Sequence, residues 1–317
     1  MTRKLETTKD AYGKALVELG KELDNVVVLD ADLSCSTKTS SFCKVFPERF
    51  INCGVAEQDM IGTAAGLAAS GKISFASTFA VFGSGRAWDQ VRVSVAYPRL
   101  NVKIVVTHGG ITVGEDGPTH QALEDIAIMR ALPNMVVIVP ADSVETFKAV
   151  KAAAKYYGPV YMRLGRPAVP VVSDSIDHNF EIGKSILFRE GKDATIIACG
   201  IMVSAALDSA DELSKEGISA RVINMHTIKP MDKEAVLKAA KETGAIVTAE
   251  EHSIIGGLGG AVSEIVSEEC PVPVVKIGVE DTFAESGKPA DLLERYGLTA
   301  KDITSAVKKA LSLKNAK

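Results

Sequence analysis

The chain of 317 residues is 46% hydrophobic and 24% charged, and its formal net charge at pH 7 is −4. This composition excludes a disordered chain, and the charge excludes a surface with a general attraction for nucleic acid or anionic membranes. The five cysteines are widely spaced without a CxxC pair, which favours free thiols over disulfides or a zinc site. Since neither a signal peptide nor an apolar run of ~20 residues is present, we expect a cytoplasmic protein.

Short apolar runs rich in β-branched residues alternate with longer segments of helical period. The predicted strands are Val26–Leu29, Ile73–Ala76, Val102–Thr107, Met135–Val139, Val160–Leu164, Ala194–Ala198, Ala220–Met225, Ala245–Ala249 and Val272–Ile277. The predicted helices are Lys9–Leu23, Met60–Ala69, Ser143–Tyr156, Ser204–Glu216, Lys233–Glu242 and Ala300–Leu313. Strands that are apolar throughout are typical of parallel sheets covered on both faces, so the sequence predicts an α/β fold with mostly parallel sheets.

A stretch rich in proline and acidic residues separates the two series of strands. Pro167–Ile182 has no clear helical period, and we interpret it as a connector between two α/β domains. The predicted domains cover residues 1–170 and 185–317.

One glycine-rich segment, Gly256–Gly260, follows a predicted strand and opens a predicted helix. It does not complete the G-x-G-x-x-G spacing of a dinucleotide site, and it lies in the second predicted domain. Close contact between helix and strand is the favoured explanation. A nicotinamide dehydrogenase remains an alternative, and it predicts that this chain alone binds a nicotinamide cofactor.

A polar loop, residues 107–121, follows the predicted strand Val102–Thr107. Its two histidines, two carboxylates and flexible glycines lie at the carboxyl end of the sheet, where open α/β folds bind ligands. Polar groups of this kind are costly to bury without partners, which favours a ligand site. The alternative is that Asp116 forms an Asx turn over Gly117 and Pro118 while His120 caps the next helix.

The sequence GEDGPTHQ in this loop closely resembles the pyrimidine-domain loop of transketolases, a family of thiamine diphosphate enzymes. Other segments resemble the family in the same order, and they are TRKL (Thr2–Leu5), DADLS (Asp30–Ser34), CGVAEQDM (Cys53–Met60), STFAVF (Ser77–Phe82), INMHTIKPMD and TAEEHSIIGGLGGAV. The last two resemble the family's C-terminal domain. The resemblance covers nearly the whole chain.

The diphosphate-binding signature GDG…N of full-length transketolases does not occur in the sequence. The resemblance therefore implies the C-terminal subunit of a split transketolase, active only with a separate N-terminal subunit. That partner is expected to hold most of the diphosphate contacts and the Mg²⁺ or Ca²⁺ ion, so we predict no metal site in this chain. The family's geometry implies an α2β2 assembly, which acts on sugar phosphates in the pentose phosphate pathway and needs neither nucleic acid nor a membrane.

By this resemblance Glu57 is the cofactor-activating glutamate. Its small and apolar neighbours can bury it at a helix start, and burial favours the neutral form of a carboxyl group. A protonated Glu57 donates a hydrogen bond to a ring nitrogen of the aminopyrimidine, which promotes removal of the thiazolium proton by the cofactor itself. Without the resemblance, a glutamate stabilised by the helix dipole is the simpler interpretation.

The resemblance also assigns a wall to the pyrimidine ring. Phe79 and Phe82 are expected to stack on the ring or enclose it. A third aromatic residue of some transketolases falls at Gly85, so the wall is either more open or completed differently. Asp32 is expected near the cofactor at the subunit boundary, unless it is a simple turn carboxylate.

Substrate contacts come from the same resemblance. His120 and Asp116 are expected to contact sugar hydroxyl groups, and the imidazole of His120 can move protons during catalysis. Residues expected to hold the distal phosphate are Arg3, Ser36, His108 and Arg166, where arginine suits two parallel hydrogen bonds. For Arg163 a salt bridge at a strand end is the alternative to phosphate binding.

Some features leave alternatives open. Ala56-Glu57-Gln58 stands where transketolases often have Arg-Glu-His, and it resembles deoxyxylulose-phosphate synthase, a carboligase with the same cofactor. A 2-oxoacid dehydrogenase β subunit normally lacks DGPTH, and a non-catalytic regulatory subunit with the same fold is the remaining alternative. We assign no active role to His178, His226 or His252, and we expect His252 in a loop under the second sheet.

Overall fold

Two mostly parallel sheets and a two-stranded ribbon organise the chain. In the computed structural model, residues 3–175 and 179–316 are described. The strands, numbered in chain order, are β1 (Leu5–Thr7), β2 (Val26–Asp30), β3 (Phe50–Asn52), β4 (Ile73–Phe79), β5 (Val102–Thr107), β6 (Val136–Ile138), β7 (Val160–Arg163), β8 (Ala168–Pro170), β9 (Ile186–Arg189), β10 (Ala194–Ala198), β11 (Ala220–Asn224), β12 (Thr227–Lys229), β13 (Ile246–Ser253) and β14 (Val274–Val279).

The helices, also in chain order, are α1 (Thr8–Glu22), α2 (Ser34–Thr37), α3 (Ser40–Val45), α4 (Glu57–Ala69), α5 (Trp88–Gln90), α6 (Asp125–Arg130), α7 (Ser143–Lys155), α8 (Met202–Lys215), α9 (Lys233–Thr243), α10 (Leu258–Glu269), α11 (Pro289–Arg295) and α12 (Ala300–Asn315). Two π-helical turns cover Phe82–Arg86 and Val91–Ala96, and a 3₁₀ segment covers Ile111–Asp116. Side-chain caps stabilise the start of several of these helices. For example, Thr7 caps α1 and Asp142 caps α7, each by accepting a hydrogen bond from a backbone N–H group.

The first sheet has the strand order β12-β6-β7-β5-β4-β2-β3, and β12 is its only antiparallel member among the described strands. Successive residues of β5 point to opposite faces of the first sheet. Val105 packs with Leu16 of α1 and Val150 of α7, whereas Ile104 packs with Met60 of α4. The central strands are therefore apolar on both sides, which explains their unbroken apolar sequence.

The second sheet has the order β14-β13-β10-β11-β9, with β9 antiparallel. Helices α8 and α12 contact each other over one face, where Val203 and Ile303 are buried, and α9 and α10 pack together beside Ile197 on the other. One hydrophobic cluster joins the two sheets, since it contains both Val137 of β6 and Ile197 of β10. Burial of such continuous apolar area stabilises the pairing of the sheets.

The predicted α/β class with mostly parallel sheets is confirmed. Each predicted long strand and helix is present, with ends shifted by a few residues. The short strands β1, β3, β8, β9 and β12 were not predicted, because they lack the longer apolar runs that identified the other strands. Within the connector, β8 pairs with β1, whereas residues 176–178, including His178, lie outside the described part of the chain.

Two histidines lie in the interior. The expectation of a loop position for His252 was wrong, since it belongs to the buried end of β13 and its Nδ1 lies 2.7 Å from the Ser253 carbonyl oxygen. His226 is buried against the Phe180 ring, with the ring centroids 4.1 Å apart. In residues 3–175 and 179–316, no helix is both long and apolar enough to cross a lipid bilayer.

Candidate active site

The carboxyl ends of β2, β4, β5 and β7 meet at one edge of the first sheet, because these strands are parallel neighbours. The residues at or just after these ends include Asp32, Phe79, His108 and Arg166. Ligands of open α/β folds bind at this edge. The sheet thus brings together segments that are more than 100 positions apart in the sequence.

Glu57 is the first residue of α4, and its side chain is 1% exposed. Nη1 of Arg86 lies 3.0 and 2.9 Å from the two carboxylate oxygens of Glu57. Burial of Glu57 agrees with the expectation, but the ion pair with Arg86 was not expected. Arg86 could have been suspected from its sequence position, since it is a cation four residues after Phe82.

The aromatic wall has two unequal members. Phe79 is 8% exposed and stacks on the His108 ring, with the centroids 3.9 Å apart. Phe82 is half-buried and lies beside Phe79, with the centroids 6.0 Å apart and the planes 19° from parallel. At the exposed Gly85, an added Cβ meets no atom within 4 Å. The more accessible ring is therefore Phe82, and the space beside it at Gly85 is open.

His120 completes this corner. Its ring meets Phe82 edge-on with the centroids 5.3 Å apart, and its Nδ1 lies 2.9 Å from the Thr119 hydroxyl oxygen. Asp116, in the same loop, lies 3.8 Å from Arg166 Nη1. Arg166 also donates to the Val113 carbonyl oxygen and, at 3.3 Å, to Glu115. The polar loop thus carries both residues that were predicted to contact sugar hydroxyl groups, and Arg166 anchors it.

The second sheet forms hydrogen-bond contacts with the polar loop. Glu251 of β13 is fully buried and accepts a hydrogen bond from the Thr112 backbone N–H at 2.7 Å. A Cβ on Gly110, where φ is +84°, would come within 2.2 Å of this carboxylate. Gln121 Nε2 donates to the Glu285 carbonyl oxygen at 3.0 Å. The two parts of the chain therefore build the loop together, which the sequence did not reveal.

Lys9, His108 and Arg166 form a group, called the basic group below, near which the distal phosphate was expected. Burial, together with nearby Lys9, Arg166 and His120, lowers the pKa of His108 to about 3, so this imidazole is neutral at physiological pH. His108 also has a strained backbone φ of +60°, and its Nδ1 lies 2.8 Å from the Thr107 hydroxyl oxygen.

Lys9, in the first turn of α1, is a residue that the sequence analysis missed. Burial is the main cause that lowers the pKa of Lys9, and the charges of Lys38 and Arg166 lower it further. Among the described residues, none forms a hydrogen bond or ion pair with its ammonium group. A partly desolvated cation near His108 and Arg166 that forms no ion pair with any of the described residues is suited to bind an anion.

Arg3 contacts helix α8 in this structure, and its phosphate contact stays a prediction. Its Nη1 lies 2.7 Å from Asp208 Oδ1 and 3.1 Å from Ser204 Oγ, both on α8. The unpredicted ribbon of β1 and β8 lies directly after Arg3, and the segment runs toward the second part of the chain. The signal that could have identified Lys9 instead is its position in the first turn of a predicted helix.

Two further predicted residues lie at the rim. Ser36 is half-buried in the short helix α2, which contacts β4 and β5. Asp32 is exposed and has a φ of +65°, and its carboxylate accepts a hydrogen bond from Asn52 Nδ2 at 2.9 Å. Asp32 thus forms a turn at the carboxyl end of β2.

Arg163 has the structural role that was the alternative to phosphate binding. Its Nε donates to Asp125 Oδ2 at 2.9 Å, and its side chain is 6% exposed. Nη2 donates to the carbonyl oxygen of Glu251 at 2.8 Å. Arg163 therefore ties the end of β7 to the second sheet.

The glycine-rich segment is filled by a side chain of the protein itself. Glu250 accepts hydrogen bonds from the N–H groups of Leu258 and Gly259 at 2.7 and 2.8 Å, at the start of α10. A Cβ on Gly257 would come within 2.1 Å of Glu250 Oε2. The glycines thus allow close approach of β13 and α10, and a buried carboxylate occupies the position that a dinucleotide phosphate would need.

Comparison with known proteins identifies two family domains. The transketolase pyrimidine-binding domain matches residues 5–172, and the transketolase C-terminal domain matches residues 183–303. In the described part of the chain, no group of three or more His, Cys, Asp or Glu side chains could hold a metal ion.

Three relatives are informative. A Methanocaldococcus jannaschii protein named as a transketolase C-terminal section is 53% identical over 301 residues, 94% of each chain. A 6-deoxy-6-sulfo-D-fructose transketolase subunit of Clostridium sp. (strain MSTE9) is 49% identical over 97% of this chain and 95% of its own. A solved structure titled as a split gene transketolase, an inactive beta4 tetramer, has a TM-score of 0.91 at 59% identity, covering 97% of this chain and 99% of its own. The chain therefore belongs to the transketolase family.

Proposed function

We propose that this chain is the C-terminal subunit of a thiamine diphosphate-dependent transketolase that moves a two-carbon ketol unit from a ketose phosphate to an aldose phosphate. The observation that carries the proposal is the pair formed by the buried Glu57 and the accessible ring of Phe82, both of which Arg86 contacts, with His120 edge-on to the same ring. Transketolases depend on thiamine diphosphate. An acid, an aromatic face and open space at Gly85 suit a planar aminopyrimidine.

When bound, thiamine diphosphate supplies the carbanion chemistry, and the residues of this chain bind and orient it. Glu57 holds a ring nitrogen through a hydrogen bond from its protonated carboxyl, and Phe82 covers the ring. Phe79 supports the wall from behind, because its own face is covered by His108. Asp32 lies at the exposed rim, where a second subunit can approach.

The substrate side of the proposal uses the polar loop and the basic group. His120, held by Thr119 and Phe82, moves protons at the sugar oxygens, and Asp116 accepts hydrogen bonds from sugar hydroxyl groups. Lys9 and Arg166, with neutral His108 and with Ser36, bind the distal anionic group. A sulfonated sugar is a second candidate for that group, because the relative that is 49% identical is named for such a substrate.

The partner in this proposal is a separate N-terminal subunit that holds the diphosphate and a Mg²⁺ or Ca²⁺ ion. Two relatives named as a C-terminal section and as a split gene product support this division. We propose an α2β2 assembly in the cytoplasm, with a role in the pentose phosphate pathway. The regions 1–170 and 185–317 are proposed as the pyrimidine-binding and C-terminal domains.

The test is reconstitution with the N-terminal subunit, thiamine diphosphate and Mg²⁺. Ketol transfer from xylulose 5-phosphate to ribose 5-phosphate is expected, and Glu57→Gln is expected to lower it by about 10²- to 10⁴-fold, since a positioned proton donor is lost. Asp59→Asn is the matched control, because Asp59 is exposed on the same helix.

Other outcomes of this test would contradict the proposal or change its donor sugar. Pyruvate-dependent product without ketol transfer indicates a synthase-like carboligase, and unchanged transfer by Glu57→Gln indicates a regulatory subunit. Faster turnover of 6-deoxy-6-sulfofructose than of xylulose 5-phosphate assigns the sulfonated donor.

A further inference from the structure

Arg86 makes two contacts inside the proposed ring site. Its Nη1 donates to both carboxylate oxygens of Glu57, and its guanidinium carbon lies 4.5 Å from the centroid of the Phe82 ring. These are the two groups to which the proposed function assigns the aminopyrimidine. A guanidinium is planar and carries N–H donors, so it matches both an acidic and an aromatic contact.

We propose that Arg86 is a resident occupant of the coenzyme-ring site, which it leaves when the ring binds. The inference rests on the proposed function, because that function places the ring between Glu57 and Phe82. Arg86 is therefore a positioning residue, since it keeps Glu57 paired before the coenzyme arrives.

Burial explains why the site needs an occupant. The Glu57 side chain is 1% exposed, and a buried carboxylate without a partner is strongly destabilising. Arg86 removes this penalty in the coenzyme-free protein. When the coenzyme ring replaces Arg86, Glu57 takes up a proton from solvent and donates it in a hydrogen bond to the ring nitrogen, so its carboxyl group has a partner in both states.

The surroundings of Arg86 allow its side chain to leave without rearrangement of the backbone. The side chain is 50% exposed, and an added Cβ on the preceding Gly85 meets no atom within 4 Å. Gln58 Nε2 donates to the Arg86 carbonyl oxygen at 3.1 Å, and the next residue, Ala87, is fully buried. The backbone is thus held while the guanidinium has open space beside it.

The displacement predicts opposite effects of one substitution. In Arg86→Met, the coenzyme-free protein loses the partner of Glu57 and unfolds at a lower temperature. The same variant binds the coenzyme more tightly, because no ion pair must be broken first. Because the Arg86 side chain is half exposed, solvent screens its side of the ion pair, and a three- to tenfold decrease in Kd is expected. An ion pair with a purely structural role would destabilise the protein without changing Kd.

The experiment uses the complex of this chain with the N-terminal subunit. Thiamine diphosphate is titrated by calorimetry into wild type, Arg86→Met and Arg92→Met, and the melting temperature of each is measured with and without the coenzyme. Arg92 is a suitable control because it is an exposed arginine six residues further along the chain. The expected result is a lower Kd and a larger coenzyme-induced rise in melting temperature for Arg86→Met alone.

An equal or higher Kd for Arg86→Met would overturn the assignment of Arg86. If the wild-type complex binds thiamine diphosphate and Glu57→Gln is impaired in ketol transfer, that result rejects only the displacement. If the wild-type complex does not bind the coenzyme, or if Glu57→Gln transfers at the wild-type rate, the proposed function itself is rejected.

Discussion

Replacement of Lys9 by methionine tests whether the basic group holds the anionic end of the substrate. Lys9 is partly buried beside Arg166 and His108, and burial lowers its pKa. Methionine retains a similar length and apolar stem but cannot bind an anion. The charged form of Lys9 is disfavoured by burial in the folded protein, so Lys9→Met should also raise the melting temperature slightly.

The expected magnitude follows from the lost contact. A hydrogen bond to a charged group contributes about 1.5–3 kcal/mol, and Lys9 is only partly buried, so the lower value applies. At about 1.4 kcal/mol for each tenfold change, kcat/KM for a phosphorylated acceptor should fall about tenfold. Most of the change should be in KM, since the distal group is remote from the reacting carbon. Lys9→Arg should retain most of the activity.

The assay compares ribose 5-phosphate with ribose as acceptors in the reconstituted complex. Lys14→Met is the control, because Lys14 is exposed on the same helix. An equal loss of kcat/KM with both acceptors would refute the phosphate role of Lys9, and so would no loss with either one.

Two further predictions concern stability, measured by urea unfolding. Gly110→Ala should lower the free energy of unfolding by about 2–5 kcal/mol, because the backbone has a left-handed φ of +84° and because the hydrogen bond from Thr112 to Glu251 is lost. A decrease below about 1 kcal/mol would contradict this prediction. Burial raises the pKa of Glu145 from 4.5 to about 7, so wild type should lose stability relative to Glu145→Gln as the pH rises from 4.5 through 7. The same difference at pH 5 and pH 8 would show that Glu145, which accepts a bond from Asn224, does not titrate in this way.

Long, uniformly apolar strands were predictable from the sequence because burial on both faces leaves an unmistakable pattern. Strand β5 was predicted at its observed bounds, Val102–Thr107. The short strand β12 was not predictable, since its pairing with β6 depends on contacts between distant parts of the chain.

The side chains of the candidate site were also predictable from the sequence only in part. The resemblance selected Glu57, Phe82 and His120, and the structure brings these three into one corner. It did not select Arg86 or Lys9, because neither residue belongs to the segments that carry the resemblance. The pairing of Arg86 with Glu57 depends on the path of the backbone between them, which no local sequence pattern determines.

Strand β12 has a consequence for dissection of the protein. It is contributed by the sequence after residue 185, yet it forms the outer edge of the first sheet beside β6. A fragment that stops near residue 170 would expose the unpaired N–H and C=O groups of β6, and such an edge recruits strands from other molecules. Attempts to isolate the first half should therefore favour association between molecules through this edge.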